Sequence, residues 1–227
     1  MRYAVIDVGS NTIRLCIYEK HDGGLSLIVN ERVMALLGSK TTNGALNEEG
    51  IRAASEALLK LKEIAEREQA EHLFVFATAA LRNITNTQEA TAEIMKNTGL
   101  LIDVLSGDEE ALLTYAGAAK AQNIADGLIA DIGGAARTAS ELEKILYPAS
   151  GGAIQTLEML LYRLLDDEKL AEKSILAASP DRLDTALPGV AILCEAAAFF
   201  GCKRLDVCKA GVREGYLQKK LGESGEL

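Results

Sequence analysis

Residues that build zinc and disulfide sites are scarce in this sequence. It has no tryptophan, only two histidines and four cysteines, and no two of the cysteines are spaced as a CxxC pair. Cysteine–histidine zinc sites need closely spaced ligands, so we expect no zinc centre. We interpret Cys16, Cys194, Cys202 and Cys208 as reduced core thiols, as in proteins of reducing compartments.

Long apolar runs and an excess of basic charge are also missing. No segment has the apolar length of a membrane span, and Asp7 interrupts the apolar N-terminus too early for a signal peptide. We therefore expect a soluble, cytoplasmic protein. Lysine and arginine number 24 against 33 acidic residues, a net charge of −9, so neither nucleic acid nor a membrane surface is an expected partner. A phosphate-bearing ligand would have to be held locally, by backbone N–H groups, a few basic side chains or a metal.

The first half of the sequence alternates between strand and helix patterns. YAVIDV, IRLCIY and LSLIVNERV predict three strands, and HLFVFATAAL and LIDVLS predict two more. A long amphipathic helix, with Asn47 available as its cap, follows the third strand. Its apolar residues recur every three or four positions: Ile51, Ala54, Leu58, Leu61 and Ala65. With helices at NTQEATAEIMKN and DEEALLTYAGAAKAQ, the order βββαβαβα predicts a mixed α/β sheet with helices on its faces.

The start of the chain is echoed in its second half. RYAVIDVGSN and GLIADIGGAA both read as an apolar strand followed by Asp, an apolar residue and Gly, which gives Asp7 and Asp131 equivalent positions. A duplicated strand and turn predicts two similar lobes, residues 1–124 and 125–227, each presenting a polar turn toward a shared cleft. Because an Asp-x-Gly turn after a strand is common, coincidence is the alternative.

The segment LSGDEEA, residues 105–111, ends a strand and begins a helix. Ser106 and Glu109 predict a capping box, which with the helix dipole stabilises the helix by on the order of 1 kcal/mol. Glu110 has no part in that box. It is either a solvated helix carboxylate, which the spacing alone favours, or a general base that deprotonates water.

The segment ATAALRNITN, residues 77–86, ends another buried strand. Asn86 is expected to cap the next helix, with Glu89 at its third position. Arg82 is either an ordinary surface arginine or a planar clamp for phosphate. The residue types leave both interpretations of Arg82 open.

Six segments together resemble the exopolyphosphatase / guanosine pentaphosphate phosphohydrolase (Ppx/GppA) phosphatase family. They are YAVIDVGSNTIRLCIY, FATAALRNITN, VLSGDEEALLTYAGA, LIADIGG, ASGGAIQTLEML and LPGVAILCEAAAFFGCKRLDVCKAGVREGYL. They occur in the family's order and span nearly the whole chain. The resemblance implies the fold of the actin, sugar-kinase and chaperone-ATPase superfamily, in which two ribonuclease-H-like lobes enclose a phosphate-binding cleft.

The resemblance also implies roles for individual residues. Glu110 matches the family's catalytic glutamate, which activates the attacking water. Asp7 and Asp131 would hold Mg²⁺, directly or through water, because hard oxygen ligands suit that ion. Phosphate contacts are implied for a larger set: Gly9, Ser10, Asn11, Thr12, Arg82, Gly133, Gly134, Ser150 and Gly151. For the turn at Ser150 and Gly151, a plain connection between strand and helix is the alternative.

The implied reaction is hydrolysis of a phosphoanhydride. It would release orthophosphate from inorganic polyphosphate or from guanosine pentaphosphate, mostly by positioning and charge stabilisation. Members of the family often dimerise, so a homodimer is implied as well. In the last family segment, Arg213 and Glu214 are interpreted as packing residues without a chemical role.

The second phosphate turn departs from the family pattern. The family usually continues as Asp-x-Gly-Gly-Gly-Ser-Thr, but here Ala135 and Ala136 follow the two glycines and offer no hydroxyl to phosphate. ARTASELEKIL then favours a helix where a returning strand is usual. Only about 15 residues separate Gly134 from Ser150, too few for the usual two strands and helix, so we expect an internally shortened second lobe. Two other functions stay open: a non-catalytic phosphate- or nucleotide-binding protein, and an actin-like ATPase or small-molecule kinase.

Overall fold

The computed structural model describes residues 1–22, 24–122, 129, 135–148 and 154–225. The chain forms two compact units, one made of Met1–Ala119 with Ala210–Leu227 and the other of Lys120–Lys209. The division at residues 124 and 125 stays a prediction. The grouping of the C-terminal residues with the N-terminal unit is a feature that the sequence pattern does not indicate.

The first unit contains the strands of the fold. They are β1 (Arg2–Val8), β2 (Thr12–His21), β3 (Gly24–Met34), the short hairpin strands β4 (Thr41–Thr42) and β5 (Ala45–Leu46), then β6 (His72–Ala77) and β7 (Asp103–Val104). Its helices up to the second unit are α1 (Glu48–Arg67), α2 (Ala79–Arg82), α3 (Thr87–Thr98) and α4 (Gly107–Gln122). The predicted order of strands and helices is confirmed. The predicted Asn47 cap is also present, since the Asn47 side chain accepts a hydrogen bond from the Gly50 N–H at 2.9 Å.

The main sheet has the strand order β3-β2-β1-β6-β7. β1, β2 and β3 are antiparallel neighbours, whereas β6 and β7 continue the sheet in parallel with β1. The sheet is therefore mixed, as predicted. Val8 pairs with Ala77, and Ala77 pairs with Val104, so the carboxyl ends of the three parallel strands lie side by side at one edge.

Alternate residues of β1 are buried on opposite faces of the sheet, as the two-residue period of a strand requires. On one face, Ala4, Ile6 and Val8 pack in a core that includes residues of α1 and α3. On the other face, Tyr3 and Val5 belong to a second core, which α4 and the C-terminal helix cover. Both faces of the sheet are thus closed by helices.

The second unit is helical in the residues that the structure describes. Its helices are α5 (Ala135–Leu146), α6 (Ile154–Asp166), α7 (Glu168–Ala178) and α8 (Ala186–Phe199), and a 3₁₀ turn lies at Pro180–Arg182. They pack around a core that includes the fully buried Leu142, Leu160 and Val190. The helix predicted at ARTASELEKIL is confirmed as α5.

The chain then returns to the first unit as α9 (Val212–Glu223). The segment LDVC, residues 205–208, reads as a strand in the sequence, but it has no regular secondary structure. All four cysteines have free thiols. Cys16 and Cys194 are buried as predicted, but Cys202 and Cys208 are only half-buried and so are not core residues. Among the described helices, none is both long and apolar enough to cross a membrane.

Candidate functional site

Three polar segments begin where the three parallel strands end. The Gly9–Thr12 turn follows β1, Arg82 follows β6 at the end of α2, and Glu110 follows β7 in the first turn of α4. Because Val8, Ala77 and Val104 lie side by side in the sheet, all three segments start at the same edge. This common edge of the first unit is the candidate site.

The Gly9–Thr12 turn reverses β1 into β2 with a close backbone approach. The Gly9 N–H donates to the Thr12 carbonyl oxygen at 3.1 Å. A Cβ atom on Gly9 would lie 2.9 Å from that same oxygen, so the turn has no room for a side chain there. The Thr12 hydroxyl donates to the Met34 sulfur at 3.6 Å, a weak hydrogen bond that its predicted phosphate contact would replace.

The loop after β3 holds the tip of this turn. The Ala35 and Leu36 N–H groups both donate to the Asn11 carbonyl oxygen at 3.0 Å, and the Gly38 N–H donates to the Ser10 carbonyl oxygen at 2.9 Å. Leu36 adopts a left-handed backbone with φ 51°, which costs about 1 kcal/mol for a residue other than glycine. Ser10 and Asn11 are exposed, and within the described residues their side chains make no hydrogen bond. Their donor groups therefore face solvent at the sheet edge.

Arg82 and Glu110 form an ion pair at this edge. Arg82 Nη1 donates to Glu110 Oε2 at 2.6 Å and to the Leu105 carbonyl oxygen at 3.2 Å. The side chains are 27% and 30% exposed, so solvent reaches both. The geometry thus joins two residues that the sequence analysis treated separately, while their catalytic and phosphate-binding roles stay predictions.

The predicted capping box at the start of α4 is confirmed. The Glu109 N–H donates to Ser106 Oγ at 3.1 Å, and the Ser106 N–H donates back to Glu109 Oε2 at 3.0 Å. The hydrogen bonds from the Ser106 backbone and side chain lower the pKa of Glu109. The Glu109 carboxylate is occupied by its capping hydrogen bond at the start of α4. Glu110 is the acidic residue of this turn that contacts Arg82.

The cap predicted at Asn86 is wrong. Its side chain makes no capping hydrogen bond to α3. Instead Asn86 Oδ1 accepts from the Leu46 N–H at 2.9 Å, and Asn86 Nδ2 donates to the Leu46 carbonyl oxygen at 3.0 Å. The amide ties β5 to the start of α3, a contact between segments distant in sequence that overrides the local capping preference.

Asp7 lies at the end of β1 beside two arginines. It pairs in register with Arg14 of β2, and Arg213 Nη1 of α9 lies 3.9 Å from Asp7 Oδ2. The Asp7 and Arg213 side chains are 22% and 24% exposed. Burial, together with the Arg213 guanidinium, lowers the pKa of Arg14. The sequence analysis interpreted Arg213 as a packing residue and did not predict this contact with Asp7. No local sequence pattern indicates it.

Tyr18 and Glu214 form the polar contact behind Arg213. The Tyr18 hydroxyl donates to Glu214 Oε1 at 2.5 Å, and the Gly211 N–H donates to Glu214 Oε2 at 2.7 Å. Burial and the nearby Glu214 carboxylate raise the pKa of Tyr18 far above its ordinary value, so Tyr18 stays a neutral donor. Glu214 thus keeps the packing role that the sequence analysis gave it.

Asp7 is the predicted magnesium ligand that lies within the described residues. Within the described ranges, no three or more His, Cys, Asp or Glu residues are grouped as a metal site. Mg²⁺ is often held by one or two carboxylates, with water and substrate phosphates completing its shell, so Asp7 fits such an ion as a single oxygen ligand. The other predicted residues of this kind, Asp131, Gly133, Gly134, Ser150 and Gly151, lie outside the described residues, and their roles stay predictions.

Comparison with known families decides the wider assignment. The model of the Ppx/GppA phosphatase family matches residues 16–144, which include Arg82 and Glu110. The chain belongs to the Ppx/GppA phosphatase family. The resemblance proposed from the sequence segments is thereby confirmed.

Curated Ppx/GppA relatives carry two kinds of name. The chain is 28% identical over 117 residues to exopolyphosphatase 1 of Mycobacterium tuberculosis, covering 51% of this chain and 34% of that protein. It is 29% identical over 192 residues to the guanosine-5'-triphosphate,3'-diphosphate pyrophosphatase of Vibrio vulnificus, covering 82% of this chain and 38% of that protein. The chain thus spans little more than a third of the length of these curated relatives.

Solved Ppx/GppA structures share the fold along nearly the whole chain. The Aquifex aeolicus family member superposes with a TM-score of 0.83 at 20% identity, covering 99% of this chain and 98% of that one. An exopolyphosphatase from Cytophaga hutchinsonii gives a TM-score of 0.76 at 18% identity, covering 98% of each chain. The predicted α/β fold of a Ppx/GppA phosphatase is confirmed through these structures.

Proposed function

We propose that this Ppx/GppA protein hydrolyses a terminal phosphoanhydride and releases orthophosphate from inorganic polyphosphate or guanosine pentaphosphate. The observation that carries the proposal is the Arg82–Glu110 ion pair at the sheet edge where the Gly9–Thr12 turn also begins. A carboxylate, a guanidinium and exposed turn donors at one edge are the parts that phosphoryl transfer to water requires. The names of the curated relatives support the same class of substrate.

Glu110 is the general base of the proposed reaction. Its carboxylate accepts a proton from water as the water oxygen attacks the terminal phosphorus and the P–O bond to the leaving phosphate breaks. Arg82 holds one oxygen of that carboxylate through Nη1, which limits the directions from which the base can act. The remaining guanidinium donors can bind a phosphate oxygen, because arginine presents five donors in a planar fork.

Ser10 and Asn11 receive the terminal phosphate. Charge spreads over its equatorial oxygens as the bond to the leaving group breaks, and fixed donors stabilise that charge without reorganising. The backbone hydrogen bonds from Ala35, Leu36 and Gly38 hold the turn in place for this task. Mg²⁺, held by Asp7 and, by family resemblance, Asp131, would neutralise charge on the transferred group.

The remaining parts of the proposal concern size and setting. A net charge of −9 offers no basic stripe along which a long polyanion could be guided, which favours short phosphate chains or a nucleotide. A homodimer in the cytoplasm completes the proposal.

The second candidate is a phosphate-binding protein without turnover, and Ala135 and Ala136, which have no hydroxyl groups, are the residues that favour it.

Orthophosphate release with Mg²⁺ from polyphosphate, guanosine pentaphosphate and ATP, measured in parallel, tests the proposal. Glu110→Gln should lower turnover roughly a hundredfold to ten-thousandfold, the usual contribution of a general base, while tripolyphosphate binding persists. Glu109→Gln is the matched control, because its carboxylate caps α4 and has no place in the reaction. Turnover that survives Glu110→Gln would refute the mechanism. Wild-type protein that binds tripolyphosphate without releasing orthophosphate would support the second candidate.

A further inference from the structure

The C-terminal helix α9 is fixed closely against α4 by two glycines. A Cβ atom on Gly215 would lie 1.9 Å from the Leu113 carbonyl oxygen, and one on Gly117 would lie 2.2 Å from the Gly211 carbonyl oxygen. Neither position can hold a larger residue without moving a backbone. The two helices can therefore pack this closely only where the glycines meet, and this contact determines where the first turn of α9 lies.

Polar contacts also fix α9 on the sheet. Glu214, in its first turn, accepts from the Tyr18 hydroxyl of β2. Further along, the Tyr216 hydroxyl and the Lys220 ammonium both donate to Asp103 of β7, at 2.5 and 2.8 Å. With the helix held at both ends, the position of Arg213 beside the end of β1 follows from the fold.

The Arg213 guanidinium is incompletely paired among the described residues. Its Nη1 is 3.9 Å from Asp7 Oδ2, beyond hydrogen-bond distance. Its Nε is buried, and no acceptor for it exists among the described residues. A buried donor without an acceptor costs free energy, so such a group in a native structure indicates a missing partner.

The charge around Arg213 points to an anionic partner. Arg14 lies on β2 in register with Asp7 on one side and with Arg32 of β3 on the other, so three arginines lie near two carboxylates, those of Asp7 and Glu214. Arg14 Nη1 donates to Asn30 Oδ1 at 3.2 Å, an uncharged acceptor that does not balance the charge. The protein as a whole carries a net charge of −9, which makes this local excess of positive charge an exception. Arg213 is also 24% exposed, so a ligand can reach it.

We propose that Arg213 binds a phosphate group of the ligand beside Asp7. This inference rests on the proposed function, since both use the edge where β1 ends, but binding at Arg213 does not require hydrolysis. A phosphate has enough oxygens to accept from Nε and Nη2 together, which is the bidentate geometry that arginine favours. The competing interpretation is that Arg213 only holds α9 in place.

Titration calorimetry with tripolyphosphate, with and without Mg²⁺, separates the two interpretations. In Arg213→Gln, the Kd should rise roughly tenfold to hundredfold, the size expected for charge-assisted hydrogen bonds to phosphate. Arg213→Lys should lose a smaller part of the affinity, because an ammonium keeps the charge but not the fork. The thermal unfolding midpoint of each variant is measured alongside.

Two control variants match the test. Arg2→Gln removes a partly exposed arginine from the other end of β1, where Arg2 pairs with Glu19 at 3.1 Å. Arg67→Gln removes an exposed arginine at the end of α1, where Arg67 Nε lies 3.8 Å from Glu68 Oε1. In both control variants the tripolyphosphate Kd should stay within about twofold of the wild-type value, because surface substitutions away from the ligand have small effects.

Each outcome decides one question. A lowered unfolding midpoint with unchanged affinity in Arg213→Gln, or no tripolyphosphate binding by the wild type, would overturn the inference. If Arg213→Gln does not fold, the folded Arg213→Lys variant decides, and wild-type affinity in it would count against phosphate binding. Binding that depends on Arg213 without orthophosphate release supports this inference and refutes the proposed hydrolysis. Orthophosphate release by a protein whose tripolyphosphate affinity does not depend on Arg213 supports the proposed hydrolysis and refutes this inference.

Discussion

The Arg82 guanidinium lies 2.6 Å from the Glu110 carboxylate and also donates to the Leu105 carbonyl oxygen at 3.2 Å. One arginine nitrogen thus joins the residue after β6 to the end of β7 and to the first turn of α4. The carboxylate that we propose as the base is held by a group that is itself held by the backbone. The position of the Glu110 carboxylate therefore depends on the planar shape of the Arg82 guanidinium as well as on its positive charge.

Replacing Arg82 with lysine tests that dependence. The ammonium keeps the charge but cannot hold both acceptors in the arginine geometry, so we expect the turnover number to fall roughly tenfold to hundredfold, as for a misplaced catalytic group. Steady-state orthophosphate release measures it, with the exposed Arg52→Lys on α1 as control. In the Glu110→Gln background the same substitution should have little further effect, because the two residues act as a unit. Additive effects in this double-mutant cycle would contradict the coupling.

The turn after β1 should tolerate no side chain at its first position. In Gly9→Ala, the new methyl group would lie 2.9 Å from the Thr12 carbonyl oxygen, so we expect a loss of about 1–3 kcal/mol in the free energy of unfolding. Gly107→Ala is the matched control. Gly107 is exposed with no atom near its missing Cβ, so its change should stay within about 0.5 kcal/mol. Urea unfolding measures both, and equal stabilities would show that the turn can relax.

The turn, the amphipathic helix and the capping box could be predicted because each depends on residues close together in sequence. Even the meeting of Arg82 and Glu110 follows once β6 and β7 are seen to be parallel neighbours. Asn86 and Arg213 could not be predicted in this way. Asn86 bonds to Leu46 instead of to its own helix, and Arg213 reaches Asp7 only because α9 returns to the first unit.

The contact between Asp103 and Lys220 should make stability depend on pH. Burial opposes ionisation of Asp103, but hydrogen bonds from Lys220 and Tyr216 outweigh it and lower the pKa of this carboxyl. A carboxyl with a lowered pKa stabilises the folded state above its unfolded pKa of about 4, and this contribution is lost as the pH falls through the folded value.

The variant that tests this dependence is Asp103→Asn. At pH 7 we expect it to lower the free energy of unfolding by on the order of 1 kcal/mol, after allowance for solvent screening of a partly exposed pair. At pH 3 and below, the difference from the wild type should shrink. Urea unfolding across this range measures it, and a difference that stays constant with pH would mean that the carboxylate charge contributes nothing.

The return of α9 to the first unit has a consequence for how the protein is made. Tyr3, Val5 and Phe76 form one face of the sheet, and Tyr216, Leu217 and Leu221 of α9 help to cover it. On the ribosome, the strands emerge long before the helix that covers them, because the second unit is synthesised in between. The part of that face that α9 covers stays exposed until α9 is synthesised, and exposed apolar surface of this kind is what chaperones bind on a nascent chain.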